Sequence, residues 1–224
     1  MSQVFEQQLN HIREQLLMMA SLVERNLNLS IKCLVERDSV MASVVESEDN
    51  EIDALEVHID ELIVTYMATH GAMAKDCRFL IVSSKIVSNL ERMADQAVSI
   101  ARRAKDLNSE TQLKPLIDLP RMGMIGIEML KEGIGALIEK NPEKAQEVIL
   151  RDKSVDDINR QLTREMTTYM IEDPKNITRC LNLLFVSRSI ERMADHAKNI
   201  AEEVYYLYRA KDIRHQNSLS STIS

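Results

Sequence analysis

The residues best placed for chemistry sit in two copies of one motif. The stretch ERMADQAVSIA at 91–101 recurs as ERMADHAKNIA at 191–201, with eight of the eleven positions identical. Each copy holds a glutamate and an aspartate four residues apart, Glu91 with Asp95 and Glu191 with Asp195. On a helix, that spacing puts both carboxylates of a pair on one face. Like charges so placed repel by about 0.2–0.5 kcal/mol per pair on an exposed helix. Meeting the arrangement twice, at matching positions, points to a cation held there.

Each pair also has partners upstream, Asp49 with Asp53 and Asp152 with Asp156. In an antiparallel hairpin, residues equidistant from the turn lie at the same height. Asp49 with Asp95, and Asp53 with Glu91, are both centred on residue 72, beside Gly71. Asp152 with Asp195, and Asp156 with Glu191, are both centred on Asp173 and Pro174. The eight acids therefore fall into two four-carboxylate patches, hard-oxygen donor sets suited to magnesium, manganese, calcium or oxidised iron, with zinc possible. The competing reading is a salt-bridge network, since Arg188 lies three before Glu191, and Arg92 and Arg192 lie three before Asp95 and Asp195. The arginines are fewer than the acids, which favours metal. His196 adjoins Asp195, but its counterpart is Gln96, so it reads as an ordinary histidine rather than a ligand.

Other chemistries lack their signatures. A ferritin-like di-iron site needs Glu-x-x-His twice, and no histidine here follows a glutamate at that spacing. The sequence has no GxxxxGK[ST] phosphate loop, no HExxH and no nucleophile elbow. No catalytic or organic-cofactor residues are assigned.

The elements that must hold the acids are long helices. Apolar residues recur at helical spacing from residue 4 to about 36 (Leu9, Ile12, Leu16, Met19, Val23, Leu27, Ile31 and Leu34). Asp38 reads as an N-cap for a second helix to about Ala68, and Gly71 as the break before a third, from near Met73 to Leu107. In that third helix, Ile86, Leu90, Met93, Ala97, Ile100, Ala104 and Leu107 alternate spacings of four and three, a seam of coiled-coil type. Glu91 flanks it, so the acids should lie at the bundle's edge. A polar connector from Asn108 to Pro115 ends the first half. The fourth helix, to about Lys140, holds Gly123, Gly126, Gly133 and Gly135, read as sites of tight packing. Asn141–Pro142 should cap a fifth helix to about Ile171, and Asp173–Pro174 a sixth to about Arg209.

The halves match beyond the motif. TYM at 65–67 returns at 168–170, an offset of 103 on which Asp38 meets Asn141, Asp49 meets Asp152 and Asp53 meets Asp156. After the turn the offset is 100. Tandem duplication of three helices is the economical explanation, with a first bundle over 4–107, a second over 115–213 and a flexible tail over 214–224.

Composition agrees. Among 224 residues there are five Gly, four Pro and no Trp, and no stretch alternates with period two, so an all-α fold is expected. A net charge of −7 disfavours nucleic acid, whose phosphates need a positive surface. Without a run of 18 apolar residues, an export signal or CxxC spacing among Cys33, Cys77 and Cys180, the expectation is a cytoplasmic chain with reduced cysteines and no transmembrane segment.

Over residues 4–213 the sequence resembles the PhoU family of bacterial phosphate-signalling regulators. The likeness is carried by the tandem ERxxD copies, their DxxxD partners, Asp76 and Arg78 after the first turn, and the ending DHAKNIAEEVYYL. Ala94 and Ala194 stand where the family often has glycine. The resemblance implies two three-helix bundles related by a pseudo-twofold. It implies metal ions or clusters (iron, zinc, manganese or magnesium) at Asp49, Asp53, Glu91, Asp95, Asp152, Asp156, Glu191 and Asp195. It also implies a homodimer and a regulatory role, damping the phosphate-starvation response through a phosphate ABC transporter ATPase and a sensor histidine kinase. The alternative use of the same acids is a metal-dependent enzyme or metal-storage protein.

Overall fold

The structure, a computed structural model, describes residues 3–69 and 74–214. Among the described residues six α-helices follow one another: α1 Gln3–Glu36, α2 Ser39–Thr69, α3 Ala74–Asn108, α4 Asp118–Glu139, α5 Pro142–Glu172 and α6 Ile177–Arg209. Among the described residues there is no strand. The break expected at Gly71, the start of α3 at Met73 and, of the tail expected over 214–224, residues 215–224 lie outside the described residues. Helices α1, α2 and α3 pack on one another, as do α4, α5 and α6. That is the duplicated pair of three-helix units expected from the sequence.

The local signals act where the sequence places them. Asp38 Oδ1 accepts from the Val40 N–H at 2.9 Å, and Asn141 Oδ1 accepts from the Lys144 N–H at 3.1 Å, with Pro142 at the first helical position. Asp173 differs from expectation. It accepts from the Lys175 N–H at 3.0 Å, and what it caps is a 3-10 turn, Pro174–Asn176, ahead of α6. Pro174 follows α5 too closely for a full α turn to restart, so the chain tightens once before the helix resumes.

The seam residues are the core. Ile86, Leu90, Met93, Ala97, Ile100 and Ala104 are fully buried, and so are Val186, Ile190, Met193, Ala197, Ile200 and Val204. They belong to a single apolar cluster that runs through both halves, because α3 also packs along α6. The glycines of α4 allow close approach, as expected. A Cβ on Gly123 would sit 2.6 Å from Ile31 Cδ1 of α1, and one on Gly126 would sit 2.3 Å from Met193 Cε of α6. Gly133 and Gly135 are the exceptions: a Cβ on Gly133 would meet nothing nearer than Ile200 Cγ2 at 3.7 Å, and the nearest atom one on Gly135 would meet is Lys144 Nζ.

One contact had no signature in the sequence. Arg37, in the α1–α2 turn, adopts the left-handed conformation at φ 57°. Its guanidinium donates to the carbonyls of Leu107 at 3.1 Å, Asn108 at 2.9 Å and Glu110 at 2.6 Å. It thus gathers carbonyls from the end of α3 and the start of the connector, and pins the connector between the halves.

Candidate functional site

In α2, the core stripe Val45, Ile52, Ile59 and Ile63 is fully or nearly buried. By helical spacing Asp49, Asp53 and Glu56 fall on its flank. In α3, Glu91 and Asp95 flank the seam in the same way. The hairpin register follows the expected centre at residue 72: Ser84 Oγ donates to Asp60 Oδ1 at 3.0 Å across α2 and α3, two residues equidistant from it. Asp49 and Glu91 are half-buried, Asp53 and Asp95 exposed.

These acids act on one another. Burial, then Asp53 and Asp95, raise the Asp49 carboxyl to about 6, with Arg102 opposing. Burial, then Asp95, Glu56 and Asp53, raise Glu91 to about 7, with Arg92 opposing. Glu56 is raised by burial, Asp60 and Asp53. The first patch is therefore the four expected carboxylates plus Glu56, which the sequence analysis missed. It lies seven residues beyond Asp49, two turns along the same flank, and that spacing was available to find it. Arg102 reaches toward the patch but its Nε bonds Glu46 at 2.7 Å. Hard oxygen donors in mutual repulsion fit a divalent ion. Among the described residues no three His, Cys, Asp or Glu side chains form a ready coordination shell, so a bound ion would have to draw these oxygens inward against the repulsion that separates them.

The second patch assembles likewise, but with a cation inside it. Burial, then Asp152 and Glu191, raise Asp195 to about 6, with Lys198 opposing. Burial and Asp152 raise Asp156. Asp152 is buried, and Lys198 Nζ lies 2.6 Å from its Oδ2. Burial works against the Lys198 charge, yet Asp152 and Asp195 outweigh it and hold the ammonium above its ordinary pKa. The position matching Glu56 is Asn159, whose Oδ1 accepts from Ser187 Oγ at 2.7 Å.

The two patches lie on either side of the contact between α3 and α6, which run antiparallel. Lys85 Nζ meets the buried Glu203 at 3.1 Å, Ser189 Oγ donates to Ser99 Oγ at 3.2 Å, and the Arg103 guanidinium stacks 4.7 Å from the Phe185 ring centre. His196 belongs to this contact rather than to a ligand shell. Its Nδ1 is 3.0 Å from Asn89 Oδ1, which also accepts from Asn199 Nδ2 at 3.3 Å, so the ring nitrogen is the donor. Burial, with Arg92 and Arg192 nearby, lowers its pKa.

The PhoU domain family model matches residues 16–104 and 119–204, one segment in each half. The phosphate-specific transport system accessory protein PhoU homolog of Pseudomonas aeruginosa is 39% identical over 215 residues, 96% of this chain and 89% of that protein. The Escherichia coli protein PhoU, a phosphate-specific transport system accessory protein, is 34% identical over 211 residues, 94% of this chain and 88% of that one. The crystal structure of PhoU from Pseudomonas aeruginosa superposes with a TM-score of 0.90 at 38% identity, covering 92% of this chain and all of that one. The phosphate transport system regulatory protein PhoU from Streptococcus pneumoniae shares the fold, with a TM-score of 0.86 at 24% identity.

Proposed function

The chain belongs to the PhoU family, and from that premise we propose that it is a negative regulator of phosphate uptake and phosphate-starvation signalling, an adaptor acting through protein contacts rather than catalysis. The observation that carries this reading is likeness along almost the whole chain to proteins named as accessories of the phosphate-specific transport system. The partners proposed are the ATPase of a phosphate ABC transporter and a sensor histidine kinase, met in the cytoplasm, with a second copy of this chain as dimer partner. No helix among the described residues is long and apolar enough to cross a membrane, so contact with a transporter would be made from its surface.

Metal ions at the acidic patches are part of the proposal. In the first patch Asp49, Asp53, Glu91 and Asp95, with Glu56 beside them, would hold the ion. A divalent cation there would neutralise the repelling carboxylates and tie α2 to α3, adding stability as RT ln(1 + [L]/Kd) because only the folded chain gathers the ligands.

The test replaces Glu91 and Asp95, and Glu191 and Asp195, by Gln and Asn. The apolar seam is untouched and repulsion is relieved, so the variant should stay helical by circular dichroism. In phosphate-replete cells a starvation-gene reporter should then be expressed, whereas the native chain represses it. Co-purification with the transporter ATPase, expected of the native chain, should weaken in the variant in parallel. Normal repression by a folded variant that binds no metal would move the regulatory surface away from the patches.

A further inference from the structure

The two patches share a duplicated frame but not the same charges. At the helical position four residues before Glu202, the second half carries Lys198; the equivalent position in the first half is Val98, 5% exposed and part of the core. The Lys198 ammonium stands 2.6 Å from Asp152 Oδ2, on an aspartate whose side chain is 10% exposed. Among the described residues no ion pair reaches Asp49, the counterpart of Asp152; the guanidinium that opposes its raised carboxyl, Arg102, is engaged with Glu46. Glu56, the fifth acid of the first patch, is replaced by Asn159, already engaged with Ser187. Five carboxylates with no lysine among them therefore face four carboxylates with one.

We propose that the patches are functionally unequal: Lys198 is the resident cation of the second patch, so that a divalent ion is taken by the first patch and excluded from the second. This rests on the reading of the acidic patches as metal sites and sharpens it to one of the two. An ion entering the second patch would have to take Asp152 from the ammonium, and both the attraction and the charge-assisted hydrogen bond would be lost. A loss of that size corresponds to roughly ten- to a hundredfold in affinity. In the first patch Arg102 and Arg92 act on Asp49 and Glu91, but among the described residues no ion pair holds Asp49, Asp53, Glu91 or Asp95, so no such bond has to be broken. The lysine also does in the second half what metal does in the first, tying the acid-bearing helix to its neighbour, here α5 to α6, without any ligand.

The test is calorimetric titration of the metal-stripped full chain with manganese(II), alongside thermal melting without metal. In the native chain, binding should vanish in Asp49→Asn/Glu91→Gln and persist unchanged in Asp152→Asn/Asp195→Asn. Lys198→Met should gain a second class of sites, and those sites should disappear when Asp152→Asn/Asp195→Asn is added. Without metal, Lys198→Met should melt below the native chain, manganese should restore it, and Asp152→Asn added to Lys198→Met should restore it too. Native binding that weakens in Asp152→Asn/Asp195→Asn, or a Lys198→Met chain that gains no site while the first patch still binds, overturns the proposal and leaves the metal reading standing. A native chain that binds no manganese at its first patch overturns the metal reading itself. If Lys198→Met melts with the native chain, the lysine is not the cation holding the second patch.

Discussion

The first patch should make the metal-free protein more stable in mild acid, the reverse of the usual direction for carboxylates. Asp49 is held at about 6 against an ordinary 3.8, and Glu91 at about 7 against 4.5. Both folded values lie above the unfolded ones, so between about pH 4 and pH 7 the folded chain binds more protons than the unfolded chain. Stability must then fall as pH rises through that window, with the whole penalty present above pH 7 and none below pH 4. At about 1.4 kcal/mol per pH unit, each group would cost about 3 kcal/mol if fully shielded. Both are only half-buried, and solvent screening reduces this to about 1 kcal/mol each. His196, whose burial lowers its pKa, tilts the balance the other way, so the informative quantity is a difference between proteins. Urea unfolding followed by helical circular dichroism, in chelator, would be compared at pH 5 and pH 7.5 for the native chain and Asp49→Asn/Glu91→Gln. The variant should gain about 1–2 kcal/mol on the native chain at pH 7.5, about half a molar in urea midpoint, and much less at pH 5. An equal gain at both pH values would refute the electrostatic argument.

Metal affinity at the first patch should fall as pH drops from 7.5 to 5.5, because protons and metal compete for the same oxygens; a manganese titration at the two pH values reads this directly. Gly133→Ala should stabilise the protein by about 0.5–1 kcal/mol in chemical unfolding through helix propensity, since a Cβ there meets Ile200 Cγ2 at 3.7 Å and the Ala197 carbonyl oxygen at 3.8 Å, ordinary contacts. Gly126→Ala should destabilise by about 1–2 kcal/mol in the same assay, as Met193 Cε must move. Arg37→Ala should cost about 2 kcal/mol and speed proteolysis in the connector after Asn108, whose end it holds.

Much of this molecule is written in local patterns. The 3.6-residue periodicity marked the helices, the caps Asp38 and Asn141 marked two starts, and the equidistance of Ser84 and Asp60 from residue 72 shows why hairpin register could be read from the acids alone. What escaped had no local signature. That Asn89 meets His196, or that Ser99 meets Ser189, depends on which face of one half settles on the other, and periodicity within a helix does not choose a partner. Arg37 looks like any turn residue until the end of α3 arrives beside it, about seventy positions later in the sequence. Lys198 lay in plain view opposite Val98, but whether a lysine on a helix reaches a neighbouring acid or water depends on its rotamer and on how deeply that acid is buried.

The register of α3 against α6 sets Ala94 opposite Ala194, both fully buried, with equivalent contacts running outward from that point in both directions. A dimer of identical chains would be built in this manner, one patch meeting itself across a twofold axis. In a symmetric dimer, any change to one side is forced on the other. Here the partners are joined by a connector of nine residues between α3 and α4, so they are never diluted apart and inherit separately. The contact can be as polar as Asn89, His196 and Asn199 make it and remain permanent. Each half is free to drift from its twin, which is how a valine in one copy can be a lysine in the other.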